Sequence, residues 1–354
     1  MLVSIGILAW NEADVIEVTL TSLFAQTALL SRNGDVVDTS WEIVVVPNGC
    51  SDDTAARASR ALERLVAGTG RADIAWAVRE LSEAGKSNAW NRYVHDFSSP
   101  VAEMIVMIDA DIEFGEAETI SNCVAALLTA PNAVVAVDQP LKDAVRKPRK
   151  TLLERISVAA SRASAGGSPA IAGSFYCARA NALREIWMPK GLSIEDGFLR
   201  AMIATDCFRK PADDRRIIRA PHASHYFETL TSPRALFRHE VRLVIGNALN
   251  CYLTWDMLHF ATDPEGPGAG VLIRNRMARD PGWYPTLIDN AIRNHGWWAL
   301  PRGMLFRRFS GAKRNRGIGR LKWLAVAVAG FLFDLPVFLA ANRKLKRGNV
   351  IGYW

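Results

Sequence analysis

Two carboxylates one residue apart, Asp109 and Asp111, close the apolar run Ile105-Val-Met-Ile. A strand that runs out into acids delivers them beyond the carboxyl edge of an open sheet, where α/β folds bind ligands. Hard oxygen donors there can hold Mg2+ or Mn2+ against a diphosphate, whose oxygens complete the coordination shell. By itself Asp-x-Asp is also an ordinary strand-end turn. It does not make a phosphatase nucleophile, because Glu113 stands where that motif needs Thr. A second acidic pair, Glu195 and Asp196, lies far along the chain at the start of a helix-like stretch, where the helix dipole favours acids in any protein. Lys86 supplies a cation and Asn91 an amide near another helix start, both able to meet a nucleotide or its phosphates. The plain alternatives are a solvated surface charge and a capping or helix-face residue.

The frame that must position these groups is legible as periodicity. Leu2 to Leu8, Glu42 to Val46, Ile74 to Val78, Met104 to Ile108 and Val134 to Val137 read as strands, and order returns at Ala170 to Ala178. Continuous apolar runs of this kind belong to strands buried on both faces. Val15, Ile16, Leu20 and Leu23 fall at helical spacing, predicting a helix from Glu12 to Gln26. Ser51 or Asp52 can cap the next helix, which reaches about Ala67. Ser87 to Val94 and Leu152 to Ala165 read as helices as well. Such alternation predicts an α/β fold, a mixed and mostly parallel sheet flanked by helices. After about Ser232 the strand signals vanish, and Ala235 to Leu253 reads as helix. The chain therefore divides into residues 1–231 and a helical C-terminal region, 232–354.

The net charge of +7 is local. From Pro301 to Trp354 twelve Lys and Arg stand against one acid, Asp334, so the rest of the chain is net negative. That distribution argues against a nucleic-acid partner, and basic residues beside an apolar stretch point to anionic lipid headgroups. The stretch Leu324 to Ala341 is preceded by Arg314, Arg316, Arg320 and Lys322 and followed by Arg343, Lys344, Lys346 and Arg347. Its length is near the lower limit of about 17–25 residues for a spanning helix. Asp334 and Pro336 near its middle disfavour a simple span, since a mid-bilayer carboxylate costs about 2.5–3.5 kcal/mol. The flanking cations fit a membrane-associating helix lying in the headgroup layer, and the alternative is a buried core helix. The five cysteines are far apart, with no pair at zinc or redox spacing, which fits a reduced compartment. The first apolar run stops at Asn11 and Glu12 and reads as a strand rather than a signal peptide.

In family order, the sequence resembles the family 2 glycosyltransferases, inverting enzymes of the GT-A fold. Val3-Ser-Ile-Gly-Ile-Leu-Ala-Trp-Asn-Glu-Ala is similar to that family's first strand and its Tyr-Asn-Glu turn. Asn48-Gly-Cys-Ser-Asp-Asp-Thr is similar to its Asp-Gly-Ser-Thr-Asp-Gly-Thr turn, and Gly85-Lys-Ser-Asn-Ala-Trp-Asn matches Gly-Lys-x-x-Ala-x-Asn. Asp109-Ala-Asp resembles its metal motif and Glu195-Asp196 its later acidic pair. Beside the resemblance, Ala9, Trp10 and Glu12 end the first strand, where a carbonyl and a carboxylate can meet base and ribose. The Asn48 amide can pair with an edge of the nucleobase. The resemblance implies that Gly173 and its neighbours line the donor sugar, that Asp196 is the general base and that Glu195 orients the acceptor or the loop. It also puts His222 and His225 where some GT-A enzymes place a third metal ligand, His225 being the candidate beside Asp109 and Asp111. Processive members carry Gln-x-x-Arg-Trp. Here His239-Glu-Val-Arg-Leu keeps only Arg242, able to pair with a diphosphate, which favours transfer of a single sugar.

The expectation is a glycosyltransferase using Mn2+ or Mg2+. It moves one sugar from a nucleoside diphosphate sugar, a UDP-sugar first, to a lipid-linked or saccharide acceptor. Its expected place is the cytoplasmic face of the plasma membrane, in polysaccharide assembly. A dinucleotide-dependent dehydrogenase is disfavoured because no Gly-x-Gly-x-x-Gly follows a strand, and a nucleotidyltransferase because Trp10-Asn-Glu-Ala-Asp offers no Gly-rich basic loop. A non-catalytic scaffold of the same fold is the other reading.

Overall fold

The computed structural model describes residues 1–30, 38–164, 168–260, 263, 265–306, 308–309 and 317–348. Its strands are β1 (Leu2–Ala9), β2 (Ser40–Pro47), β3 (Ile74–Val78), β4 (Met104–Asp109), β5 (Glu113–Phe114), β6 (Val135–Lys142), β7 (Phe175–Arg179) and β8 (Ile217–Phe227). The helices of the first half are α1 (Ile16–Phe24), α2 (Thr27–Leu30), α3 (Thr54–Thr69), α4 (Lys86–Arg92), α5 (Thr119–Thr129) and α6 (Leu152–Ser164). They are followed by α7 (Ala180–Arg184), α8 (Glu195–Ala204), α9 (Pro233–Phe260), α10 (Ala269–Arg279), α11 (Trp283–Asn294), α12 (Arg302–Leu305) and α13 (Gly317–Arg347).

All eight strands share one sheet in the order β3-β2-β1-β4-β7-β6-β8-β5. The first four run parallel, and β7 then enters antiparallel to both β4 and β6. This reversal decides where chemistry can gather. The carboxyl ends of β1, β2 and β4 meet the amino end of β7 along one edge, with Leu8 opposite Asp109, Ala9 opposite Pro47 and Ile108 opposite Phe175.

The pleat sends alternate side chains to opposite faces. Leu8, Ile105, Met107 and Tyr176 join one core, and Ile5, Ile7, Val106 and Ile108 join the other. The second core is closed by α1, α3 and α5 through Leu20, Leu62 and Val124. The first is closed by α8, α9, α11 and α13 through Phe198, Leu249, Ile288 and Phe338. The helices after Ser232 thus share a core with the sheet, so position 231 marks a change of secondary structure and not a second core. Packing is tight at Gly6 in β1: a Cβ there would run into the buried Tyr93 ring, so a larger residue would have to displace it.

Several elements depart from the periodicity. β8 carries Pro221 and a left-handed His222 (φ 48°), and its pairing with β6 slips between Val137 and Gln139. Those breaks hide the strand in the sequence. The mid-helix acid Asp334 turns inward and pairs with Arg308, whose Nε and Nη2 donate to it at 2.7 and 2.8 Å. Arg314 and Arg316, two of the flanking cations, fall outside the described residues.

Candidate active site

Asp109 ends β4 and Gly173 stands two residues before β7, so strand pairing brings them together. The Asp109 N–H donates to the Ser174 carbonyl at 2.8 Å. Lys86 opens α4 just after Gly85, whose φ of 145° only glycine takes easily. Its ammonium lies 2.7 Å from the Asp109 carboxylate and 2.8 Å from Glu195 Oε1, and it donates to the Gly173 carbonyl at 3.2 Å. Glu195 and Asp196 open α8, where the helix dipole favours them. A Cβ on Gly173 would sit 2.7 Å from Glu195 Oε1, so any larger residue would push the acid off Lys86. Lys86, Asp109, Gly173, Glu195 and Asp196 line one cleft, floored by Leu8, Trp90 and Tyr176. Trp90 Nε1 donates to the Tyr176 hydroxyl at 2.6 Å and fixes that floor.

Negative charge accumulates at this edge. Burial, then Asp111 and Asp109, push the Glu12 carboxyl up to about 7. Burial raises Asp109 to about 6 although Lys86 opposes it, and Asp111 adds to the rise. Burial alone would push the Lys86 ammonium down, but Asp109 and Glu195 hold it above its ordinary value. Burial and then Glu195 raise Asp196. Lys86 answers Asp109 and Glu195, and among the described residues Glu12 and Asp111 have no ion pair with a cation.

A divalent metal fits that imbalance. Among the described residues no three His, Cys, Asp or Glu side chains form a ready cage. Two strand-end carboxylates with open positions suit an ion whose remaining ligands are phosphate oxygens and water.

Other candidates have different duties. Asn48 is fully buried, its Nδ2 donating to the Ala9 carbonyl at 2.7 Å and its Oδ1 accepting from Gly85 N–H at 3.0 Å. The Asn48 amide and the Ala9 carbonyl therefore bind each other and not a nucleobase: they tie the end of β1 to the Lys86 turn. The Asn91 amide brackets the backbone of Met188 from inside the core, donating at 2.8 Å and accepting at 3.0 Å, instead of facing a phosphate. Trp10, just past the end of β1, is exposed, and Glu12 nearby is half-buried. Arg242, on α9, is not among the residues that line this cleft, and its Nε is buried with no hydrogen-bond partner among the described residues. His225 is fully buried in β8, its Nδ1 2.7 Å from Asp138 Oδ2 and its Nε2 2.9 Å from Ser174 Oγ. Both ring nitrogens are occupied, so the ring belongs to a Ser174–His225–Asp138 chain and not to an open ligand position. Ser174 is a neighbour of Gly173 in the stretch the resemblance puts beside the donor sugar, whereas Asp138 belongs to none of the sequence motifs. The one available signal was an acid interrupting the apolar run Val134-Val-Ala-Val.

A parallel half-sheet joined by one reversed strand to a second half, with acids on the shared edge, defines a GT-A glycosyltransferase fold. The model of the family described as "Glycosyl transferase family 2" matches residues 4–187, just over half of the chain, and the chain belongs to that family. Among solved structures it is similar to mannosyltransferase PcManGT from Pyrobaculum calidifontis in complex with GDP-Man and Mn2+, at 19% identity and TM-score 0.51. That match covers 96% of this chain and 85% of the other. A second similarity is to glucosyl-3-phosphoglycerate synthase from Mycobacterium tuberculosis with Mn2+, UDP-Glc and phosphoglyceric acid, at 20% identity and TM-score 0.43, covering 70% and 79%. No curated protein sequence matches the chain.

Proposed function

We propose that the protein transfers one sugar, with inversion, from a nucleoside diphosphate sugar to a hydroxyl of a lipid-linked saccharide, using Mn2+ or Mg2+ held by Asp109 and Asp111. The observation that carries this reading is the convergence of Asp109, Lys86, Gly173, Glu195 and Asp196 on one cleft. Asp196 accepts the proton of the acceptor hydroxyl. The freed oxygen bonds to the anomeric carbon from the face opposite the diphosphate, and the bond from that carbon to the diphosphate breaks. A raised carboxylate pKa makes Asp196 the stronger base near neutral pH. Lys86 fixes Asp109 and Glu195 relative to each other, so both acids are in place before substrate binds. A divalent ion bound there would offset the charge on the departing nucleoside diphosphate.

The lipid side of the proposal rests on α13. Among the described residues it alone has a stretch, Val326–Arg347, apolar and long enough to cross a membrane. Its inner side, including Val337, Phe338, Ala341 and Leu345, is buried in the core, while Val326 (71%), Phe333 (69%) and Leu332 (60%) face outward. One side packed on protein and the other apolar and open favours a helix lying in a cytoplasmic headgroup layer over one that spans.

The test is binding and slow hydrolysis of UDP-glucose and GDP-mannose by the purified chain, with Mn2+ and with EDTA. Metal-dependent binding lost in Asp111→Asn is expected. A chain that neither binds nor turns over any sugar nucleotide would be the non-catalytic scaffold.

A further inference from the structure

Asp138 lies in β6 at 1% exposure and His225 in β8 at 0%, two polar side chains buried between strands that otherwise carry the core. Burying such groups costs stability unless they are paired, so a pair this deep needs a reason. Asp138 Oδ2 accepts from His225 Nδ1 at 2.7 Å, and its Oδ1 is buried with no partner among the described residues. A carboxylate in that position keeps the ring proton on Nδ1 and leaves Nε2 bare. The bare nitrogen then accepts from the Ser174 hydroxyl at 2.9 Å. Ser174 is half-buried and sits between two cleft contacts. Its own carbonyl receives the Asp109 N–H at 2.8 Å, and the carbonyl of Gly173 receives Lys86 at 3.2 Å.

We propose that Asp138 is a positioning residue for the donor side of the cleft: through His225 it orients the Ser174 hydroxyl and so anchors the Gly173–Ser174 turn against Asp109 and Lys86. The inference rests on the sugar-nucleotide reading above, and the His225–Ser174 bond would hold the turn from the side opposite Lys86's bond to the Gly173 carbonyl. The chain acts by tautomer. An amide at position 138 either accepts more weakly from Nδ1 or donates to it and drives the proton to Nε2, and both loosen Ser174.

The test has a ligand-free arm and a binding arm. In 15N-histidine-labelled protein, His225 is expected protonated on Nδ1 alone; a proton on Nε2, as the other tautomer or an imidazolium, overturns the proposal. In the second arm, affinities for UDP-glucose and GDP-mannose with Mn2+ are compared across folded variants. Asp138→Asn and Ser174→Ala should each weaken binding about tenfold, the double variant no further, and Ser174→Thr should stay within about twofold of the parent. Additive losses, or an Asp138→Asn protein that melts lower but binds unchanged, would make the buried pair purely structural. If Asp138→Asn does not fold, Ser174→Ala against Ser174→Thr decides. Parent protein that binds neither sugar nucleotide sinks the proposed activity, whereas parent binding with unmoved variants sinks this role alone.

Discussion

The Lys86 ammonium lies 2.7 Å from the Asp109 carboxylate, joining the first turn of α4 to the last residue of β4. Glu195 shares the same ammonium, so a single cation holds two acids from distant parts of the chain. Lys86→Met strands both carboxylates in a largely closed cleft. Losing one partner from such a cluster should cost about 3 kcal/mol in denaturant unfolding. Added Mn2+ should recover part of that loss, and recover more in the variant than in the parent. Equal stability of variant and parent would show that the cluster carries no such weight.

The pH profile follows from the same cluster. Asp196 is the proposed base, and a base must be ionised, so turnover should fall as pH drops through the Asp196 pKa. Because burial and then Glu195 raise that pKa, the acid limb should lie above the ordinary aspartate value of about 4. Glu195→Gln removes the like charge, and the limb should move to lower pH in kcat profiles. Asp196→Asn should lower kcat by about 10²–10⁴-fold while leaving donor binding in place. A limb that stays put in Glu195→Gln, or near-full activity in Asp196→Asn, contradicts the assignment of the base.

Thiol chemistry reports the two cores directly. Cys123, Cys177 and Cys207 are buried, and burial pushes the thiols of Cys177 and Cys207 up to about 12. Only Cys50 and Cys251, both half-buried, should react with iodoacetamide in the native state, and all five in denaturant. Mass spectrometry showing native labelling at Cys177 would disprove the packing of β7.

The outward side of α13 is the testable part of the membrane reading. Phe333→Glu places a charge at a position 69% exposed, so the melting temperature should not change. Sedimentation with phosphatidylglycerol vesicles should fall about tenfold, since apolar burial in the headgroup layer is lost. Undiminished sedimentation would assign vesicle binding to another surface.

Much of this architecture is legible in the sequence because β1, β2 and β4 are mostly buried on both faces and read as largely apolar runs. The acid that ends β4 could then be placed on the carboxyl edge without coordinates. β8 is hidden because Pro221, the left-handed His222 and the slip against β6 break its alternation. The duties of Asn48 and Asn91 were also out of reach, for a different reason. A polar side chain beside a ligand-binding turn looks the same in sequence whether it faces the ligand or braces the turn from behind. Burial separates the two, and burial is a property of the whole fold. Asp334 shows the converse: a charge expensive in a bilayer is matched by Arg308 once the helix is packed.

Because Phe338 and Ala341 lie in the same core as Leu8 and Val46, the last long helix is a wall of the catalytic body and not a leash tied to it. A leash can be trimmed to make a protein easier to handle. Removing this wall would bare the inner face of α9, against which α13 packs, so the outward apolar side proposed to meet lipid belongs to a helix that the shared core cannot lose.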